Sequence, residues 1–354
     1  LTGAVATVDV NKTLDSRPIA DIGRGLQGAV AGVNITIPTG EVGSDPLIKI
    51  RGQVGSISGN NTPLILLDNV EIPSIQMVNP NDVQSISVLK DAASSSIYGS
   101  KAAFGVILIT TKSGAQSDKF EVSYSNNFSW QDPAKKIEIG GIEALQYTLD
   151  AQTNRREPMP AGGFWRISPE SLEKAIEWQN LYGGKVKWND PVVYGRDWFY
   201  DGKDKYGYRL YDGAKAMIKN WTPTMTHNLS VTGKSGKTSY NIGLGYLDQS
   251  GMSKTAKKDD FKRYNASVSV TSEINKYITV RASSIYSDHN KRYPGIGNTT
   301  ADPWLYLYRW SPLMPMGVTE NGNPLKEPTY EMAAANTDNL QNKYYNINLG
   351  FTLN

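Results

Sequence analysis

Six segments in the later part of the chain alternate between large apolar and small polar residues. A period of two fits half-buried β-strands and no helix. In Lys119–Gln131, Phe120, Val122, Tyr124, Phe128 and Trp130 share one side with Asn126, opposite Glu121, Ser123, Ser125, Asn127 and Ser129. Met225–Thr232 sets Leu229 and Val231 against Asn228, Ser230 and Thr232, and Ser239–Gln249 sets Tyr240, Ile242, Leu244 and Tyr246 against Asn241, Gly243 and Gly245. Phe261–Ser272 opposes Tyr264, Ala266, Val268 and Val270 to Arg263, Asn265, Ser267 and Ser269. Lys276–Ser287 opposes Ile278, Val280, Ala282 and Tyr286 to Thr279, Arg281 and Ser283. Lys343–Asn354 closes the series with Tyr345, Ile347, Leu349, Phe351 and Leu353.

Such strands build either a soluble β-sandwich or a transmembrane barrel, whose strands also run to about ten residues. The polar sides consist mainly of Asn, Ser, Thr, Gly and Arg, which suits a water-filled lumen. Aromatic residues gather near strand ends, as in Trp130, Tyr240, Tyr246, Tyr277 and Tyr286. The gaps between segments alternate long and short: about 132–224, 233–238, 250–260, 273–275 and 288–342. A barrel with short periplasmic turns and longer external loops has this rhythm. The first long gap is expected to hold a helix near Pro169–Tyr182.

Composition narrows the function classes. Apolar residues are 39% of the 354, and no run of about 18 uncharged apolar residues occurs, which excludes a transmembrane helix but not a barrel. A net charge of +3 gives no reason to expect nucleic acid. The chain has no cysteine and only two histidines, His227 and His289, so thiol chemistry and imidazole metal sites are not expected. No nucleophile elbow, paired-His motif or P-loop is found; the expectation is a non-enzyme with no catalytic residue, no metal and no cofactor. Gly23, Gly25 and Gly28 spell G-x-G-x-x-G, but a helix-like stretch opened by Pro18 precedes them where a dinucleotide site needs a strand.

Up to Gly114 the pattern is that of a small α+β unit. A helix is expected through Ala29, and strands at Val33–Ile37, Leu47–Arg51, Leu64–Asp68 and Gly105–Thr111. Asn79 before Pro80 reads as a helix N-cap, as does Asp91. Between Ile48 and Gly114 stand IKIRG, NNTPLILLDNV and NPNDVQSISVLKDAASSSIYGSKAAFGVILITTKSG. With LQGAVAGV from Leu26, this ordered series resembles the plug domain of the SusC/RagA-like TonB-dependent outer-membrane transporters. The matching positions include Arg51, Gly52, Asp68, Lys90, Asp91, Tyr98, Gly99 and Thr110–Lys112. Asn69 stands where the family usually has Gly, and Phe104 where it usually has Asn.

The resemblance implies a plug over residues 1–114, and over 115–354 the first strands of an antiparallel transmembrane barrel of about 22 strands. About 16 strands would then lie beyond this segment, and loops near 132–224, 250–260 and 288–342 would be extracellular. The chain begins at Leu1 with no signal-peptide pattern and reads as a mature or trimmed piece. The implied function is TonB-dependent import of oligomeric nutrients, glycan before peptide, across the Gram-negative outer membrane. Implied partners are a SusD-like surface lipoprotein, the TonB–ExbB–ExbD complex and outer-membrane lipid. Candidate substrate contacts are Ser56, Ser58, Asn60 and Asn61 in the loop after IKIRG, and Trp304, Tyr306, Tyr308 and Trp310 in DPWLYLYRWSP. Arg51 and Asp68 are candidates for an ion pair in the plug. The alternative is a surface carbohydrate-binding β-protein without transport activity.

Overall fold

A computed structural model describes residues 5–9, 22–37, 41–52, 62–114, 118, 120–133, 137–155, 165–187, 189–295 and 311–353. The amino-terminal unit is built on β1 (Val5–Asp9), β2 (Val33–Thr36), β3 (Leu47–Ile50), β4 (Leu64–Leu67), β5 (Val70–Glu71), β6 (Val83–Leu89) and β7 (Val106–Thr111). One sheet has the order β1-β6-β7-β4-β5, with β4 parallel to β7 and its other pairs antiparallel; β2 and β3 pair separately. The β-branched run of β7 lies near the middle of the sheet, with Val106, Ile107 and Ile109 fully buried. Ile107 and Ile109 share one core with Ile22, Leu26, Ile50, Ile75, Val83 and Ile86, while Val106 packs with Leu66, Leu89 and Ala102.

Local capping fixes the turns of this unit. The Asp91 carboxylate accepts from Ser94 N–H at 2.7 Å and starts the helical turn Ala92–Ser95. Asn79 caps as expected, accepting from Asn81 N–H, but opens only a single 3-10 turn, Pro80–Asp82, before the chain enters β6. That strand was not anticipated: a register shift between Val83 and Ser85 breaks its alternation, and burial of Val83, Ile86 and Val88 favours extended chain over helix. The expected first helix is described only over Ile22–Leu26.

The second unit is a wall of β8 (Glu121–Gln131), β12 (Thr222–Ser235), β13 (Thr238–Ser250), β14 (Asp260–Asn275), β15 (Ile278–Gly295) and β16 (Asn336–Leu353), with β9 (Trp165–Arg166), β10 (Trp198–Tyr200) and β11 (Lys205–Gly207) in the connection after β8. Wall neighbours follow chain order and every pairing is antiparallel. Tight turns join β12 to β13 and β14 to β15, whereas long connections follow β8 and β15. β15 and β16 run further than their apolar pattern does, pairing out to Gly295 and Asn336. Backbone hydrogen bonds carry the ladder there, beyond the residues that alternate.

Within the first long connection, the helix Pro169–Tyr182 starts at a capping box in which Ser168 and Ser171 exchange hydrogen bonds. Leu172 and Trp178 are buried, while Ile176 is exposed. A second helix, Ile142–Arg155, packs Leu145 with Trp165, Ile167, Leu172 and Leu313.

Candidate functional site at the seam between the two units

The wall is inside-out relative to a soluble sandwich. On β13, Ile242 and Leu244 are exposed at 38% and 49%, while Asn241, on the opposite side of the same strand, is exposed at only 4%. On β14, Tyr264 and Val268 face out while Arg263, Asn265, Ser267 and Ser269 are buried. Tyr345, Ile347, Leu349, Phe351 and Leu353 of β16 are all exposed. That last run covers about 26 Å along the strand, or about 20 Å of membrane normal at a tilt of about 40°. Such a height approaches the apolar band of an outer-membrane barrel, about 25 Å.

An aromatic row bounds this band toward the end of the wall that carries the long connections. His227, Tyr246 and Tyr264 stand opposite one another on adjacent strands, His227 stacked on Tyr246 at 6.2 Å and Tyr264 tilted against it at 5.0 Å, and Tyr286 faces Tyr345. Beyond the row the outward side becomes charged, with Lys262 on Asp248 at 3.0 Å and Arg292 on Asp260 at 2.7 Å. Apolar, aromatic and charged zones thus succeed one another as in a protein crossing a bilayer interface. On the inner side, the Thr222, Thr224, Ser269 and Ser287 hydroxyls are buried with no hydrogen-bond partner among the described residues. A dry core penalises such groups; a water-lined face does not.

The amino-terminal unit seats against this inner side. Nearest the end with the long connections, Glu41 pairs with Lys291, Val42 packs on Leu247 and Phe261, and Gly43 lies under the Phe261 ring. Arg263 Nη1 donates to the Gln76 carbonyl at 2.7 Å, and Asn265 Nδ2 to the Met77 carbonyl at 2.8 Å. Deeper, Asn79 Nδ2 donates to Asn228 Oδ1 at 3.0 Å. Asn348 Nδ2 reaches the Asp68 carbonyl at 2.9 Å, and Ile285 and Tyr344 pack on the apolar core. Burial pushes the Asp82 carboxyl up to about 6; the neighbouring Ser267 hydroxyl and the Lys112 and Arg263 cations oppose that rise.

Arg51 and Asp68 do not form the expected ion pair. Arg51 is exposed in the turn after β3, at φ +53°, on the separate two-stranded sheet. The Asp68 carboxylate instead accepts from Thr111 N–H at 3.0 Å and Thr111 Oγ at 2.6 Å, which ties β4 to β7. Ser56, Ser58, Asn60, Asn61, Trp304, Tyr306, Tyr308 and Trp310 lie outside the described residues. Asp82, Gly243, Gly245 and Asn265 were not singled out as site residues; the available signal was glycine inside a strand, which marks close backbone approach.

At the rim that carries the long connections, Gln249 Nε2 donates to Gln131 Oε1 at 3.1 Å beside a cleft that Arg24, Asp132 and Ser250 also line. Above the wall, Asp197 is fully buried and organises the first long connection. It accepts from Trp178 Nε1 at 2.8 Å, Val193 N–H at 2.9 Å and Arg196. Burial pushes its carboxyl up, but the Arg196, Val193 and Trp178 hydrogen bonds outweigh this and hold it below the usual range.

Residues 1–106 match the TonB-dependent Receptor Plug Domain family. A unit that matches that family, seated on the polar side of antiparallel strands whose apolar side faces out, is the arrangement of a plug against part of a barrel wall. Among proteins so arranged, the chain is SusC/RagA-like. It is 28% identical over 353 residues to TonB-dependent receptor P26 of Formosa agariphila, covering 97% of this chain and 31% of that protein. It is 27% identical over 275 residues to TonB-dependent receptor SusC of Bacteroides thetaiotaomicron, covering 75% of this chain and 21% of that one. The RagAB peptide importer in its "closed-closed" state superposes with a TM-score of 0.63 at 26% identity, over 92% of this chain and 35% of that chain. The chain therefore spans a third or less of the length of these two curated relatives.

Proposed function

We propose that this chain supplies the plug, residues 1–114, and the first barrel strands, within 115–354, of a TonB-dependent importer of oligomeric nutrients in the Gram-negative outer membrane. The inverted wall carries this reading: its apolar side is exposed in a band of membrane height, and its polar side receives the plug. A lumen filled by a folded domain blocks passive flow, so transport requires the plug to shift. TonB–ExbB–ExbD supplies that work, and a SusD-like lipoprotein delivers substrate from outside.

The tight turns at residues 236–237 and 276–277 face the periplasm in this arrangement, and the connections near 132–224, 250–260 and 288–342 face the medium. Ser56, Ser58, Asn60 and Asn61, between β3 and β4 in sequence, and Trp304, Tyr306, Tyr308 and Trp310, between β15 and β16, are the proposed substrate contacts. Their hydroxyls, amides and aromatic faces suit a glycan. Peptide is the second reading, favoured by the likeness to the RagAB peptide importer.

Growth of a strain lacking the gene on panels of glycans and peptides tests both readings. Loss of growth on one oligomer, reproduced by removing TonB, supports import and names the substrate. Uptake that persists without TonB contradicts it.

A further inference from the structure

The turn Asn79–Asp82 enters the wall where β13 has no side chains. An ideal Cβ on Gly243 would stand 2.3 Å from Asp82 Oδ1 and 2.5 Å from Ser267 Oγ. On Gly245 it would stand 2.5 Å from Asn79 Nδ2. Either is closer than real Cβ atoms come, and Asn79 and Asp82 are both buried, with little room to withdraw. The turn is also fixed from behind: Asp82 N–H donates to the Asn79 carbonyl at 3.0 Å and Lys112 N–H to the Asp82 carbonyl at 2.9 Å.

We propose that Asn79 and Asp82 are the key, and Gly243, Gly245 and Asn228 the socket, of a latch that holds the plug on the wall and sets how readily it is released. This rests on the plug-and-barrel reading and adds positioning residues to it. Three elements face the Asp82 carboxylate. β14 brings Arg263 and Ser267, the segment after β7 brings Lys112, and β13 brings only glycine. Asn228 of β12, which meets Asn79, carries no charge.

The latch depends on pH with a defined sign. Burial at the seam raises the Asp82 pKa from the free-carboxyl value of 3.8 to about 6, and the wall's share of that burial is lost on release, so the seated form binds the proton more tightly than the released form. Seating is therefore strongest at low pH and weakens as pH rises through that window, with a ceiling of about a hundredfold in the equilibrium. Asp82→Asn is a neutral isostere that keeps the hydrogen-bonding shape. It should hold the plug at every pH as firmly as the protonated acid does.

The test uses the full-length transporter in planar bilayers, with moderate urea to promote plug release and channel conductance as the readout. Wild type is expected to open at least about tenfold more often at pH 7 than at pH 4. D82N is expected to be flat with pH and more closed than wild type at pH 7. G243A is expected to open more than wild type at both pH values while keeping heat-modifiable gel mobility. A pH-flat wild type, a D82N channel more open than wild type at pH 7, or a G243A channel that matches wild type overturns the latch. Wild-type protein without heat-modifiable mobility overturns the plug-and-barrel reading itself.

Discussion

Asp68 and Asn69 both take positive φ, +47° and +69°, in the turn from β4 to β5. The first is held by the Thr111 N–H and hydroxyl, which offset the strain of a left-handed residue. Asp68→Ala should cost about 1–3 kcal/mol of plug stability, and Asp68→Asn less, because an acceptor remains. Asn69→Gly should be close to neutral, whereas Asn69→Val should cost about 1–2 kcal/mol for its β-branched side chain at that φ. Urea midpoints of the plug transition in the full-length protein rank the four variants; an Asp68→Ala midpoint equal to wild type would show that the Thr111 bonds contribute nothing. Arg51 shares the unusual φ but not the partner. Opposite charges close in sequence did not reveal that they sit on different sheets.

At the level of elements, each wall strand has one side set by lipid and one by the plug and water. Leu349→Arg, outward on β16, should cost about 2–4 kcal/mol at mid-membrane, while Ser269→Ala, inward and with no hydroxyl partner among the described residues, should change stability by about 0.5 kcal/mol or less. The folded fraction after refolding into vesicles, scored by gel mobility, separates them; equal losses would contradict the assignment of sides. This two-sided demand made the strands readable: Tyr240, Ile242 and Leu244 could not alternate with Asn241 and Gly243 for any helical reason. The outer ends of β15 and β16 left no such trace, because Asp288–Gly295 and Asn336–Lys343 are ladder-paired but mainly polar on both sides. β6 was hidden by its bulge. The plug socket was half visible, as glycines in a strand, but the residues that fill it come from another domain and no local pattern links them. In the outer segment, Asp197→Ala should cost about 3 kcal/mol, since Trp178 and two arginines lose a buried acceptor. Its lowered pKa makes that contribution full above pH 3.8 and lost as pH falls below it, opposite in sign to Asp82. Near-ultraviolet circular dichroism of the tryptophans, followed against pH and temperature, checks both statements.

For the whole molecule, the plug has its own apolar core, while among the described residues much of its hold on the wall is polar: the Glu41–Lys291 ion pair, a guanidinium and several amide hydrogen bonds, and a key in a glycine socket, beside a few apolar contacts. Covalent labelling is simple here, because the sequence has no cysteine. The most direct measurement places single cysteines, in the full-length protein in outer-membrane vesicles, at Ile242, Leu244, Val268, Ile347 and Leu349, and at Asn241, Ser267 and Ser269. Nitroxide spin labels there report exposure to oxygen, which concentrates in lipid, and to a water-soluble nickel relaxant. The first five positions are predicted to be open to oxygen and closed to nickel, and the last three closed to oxygen. Outward positions reached by nickel as readily as by oxygen would show that this wall does not meet a bilayer.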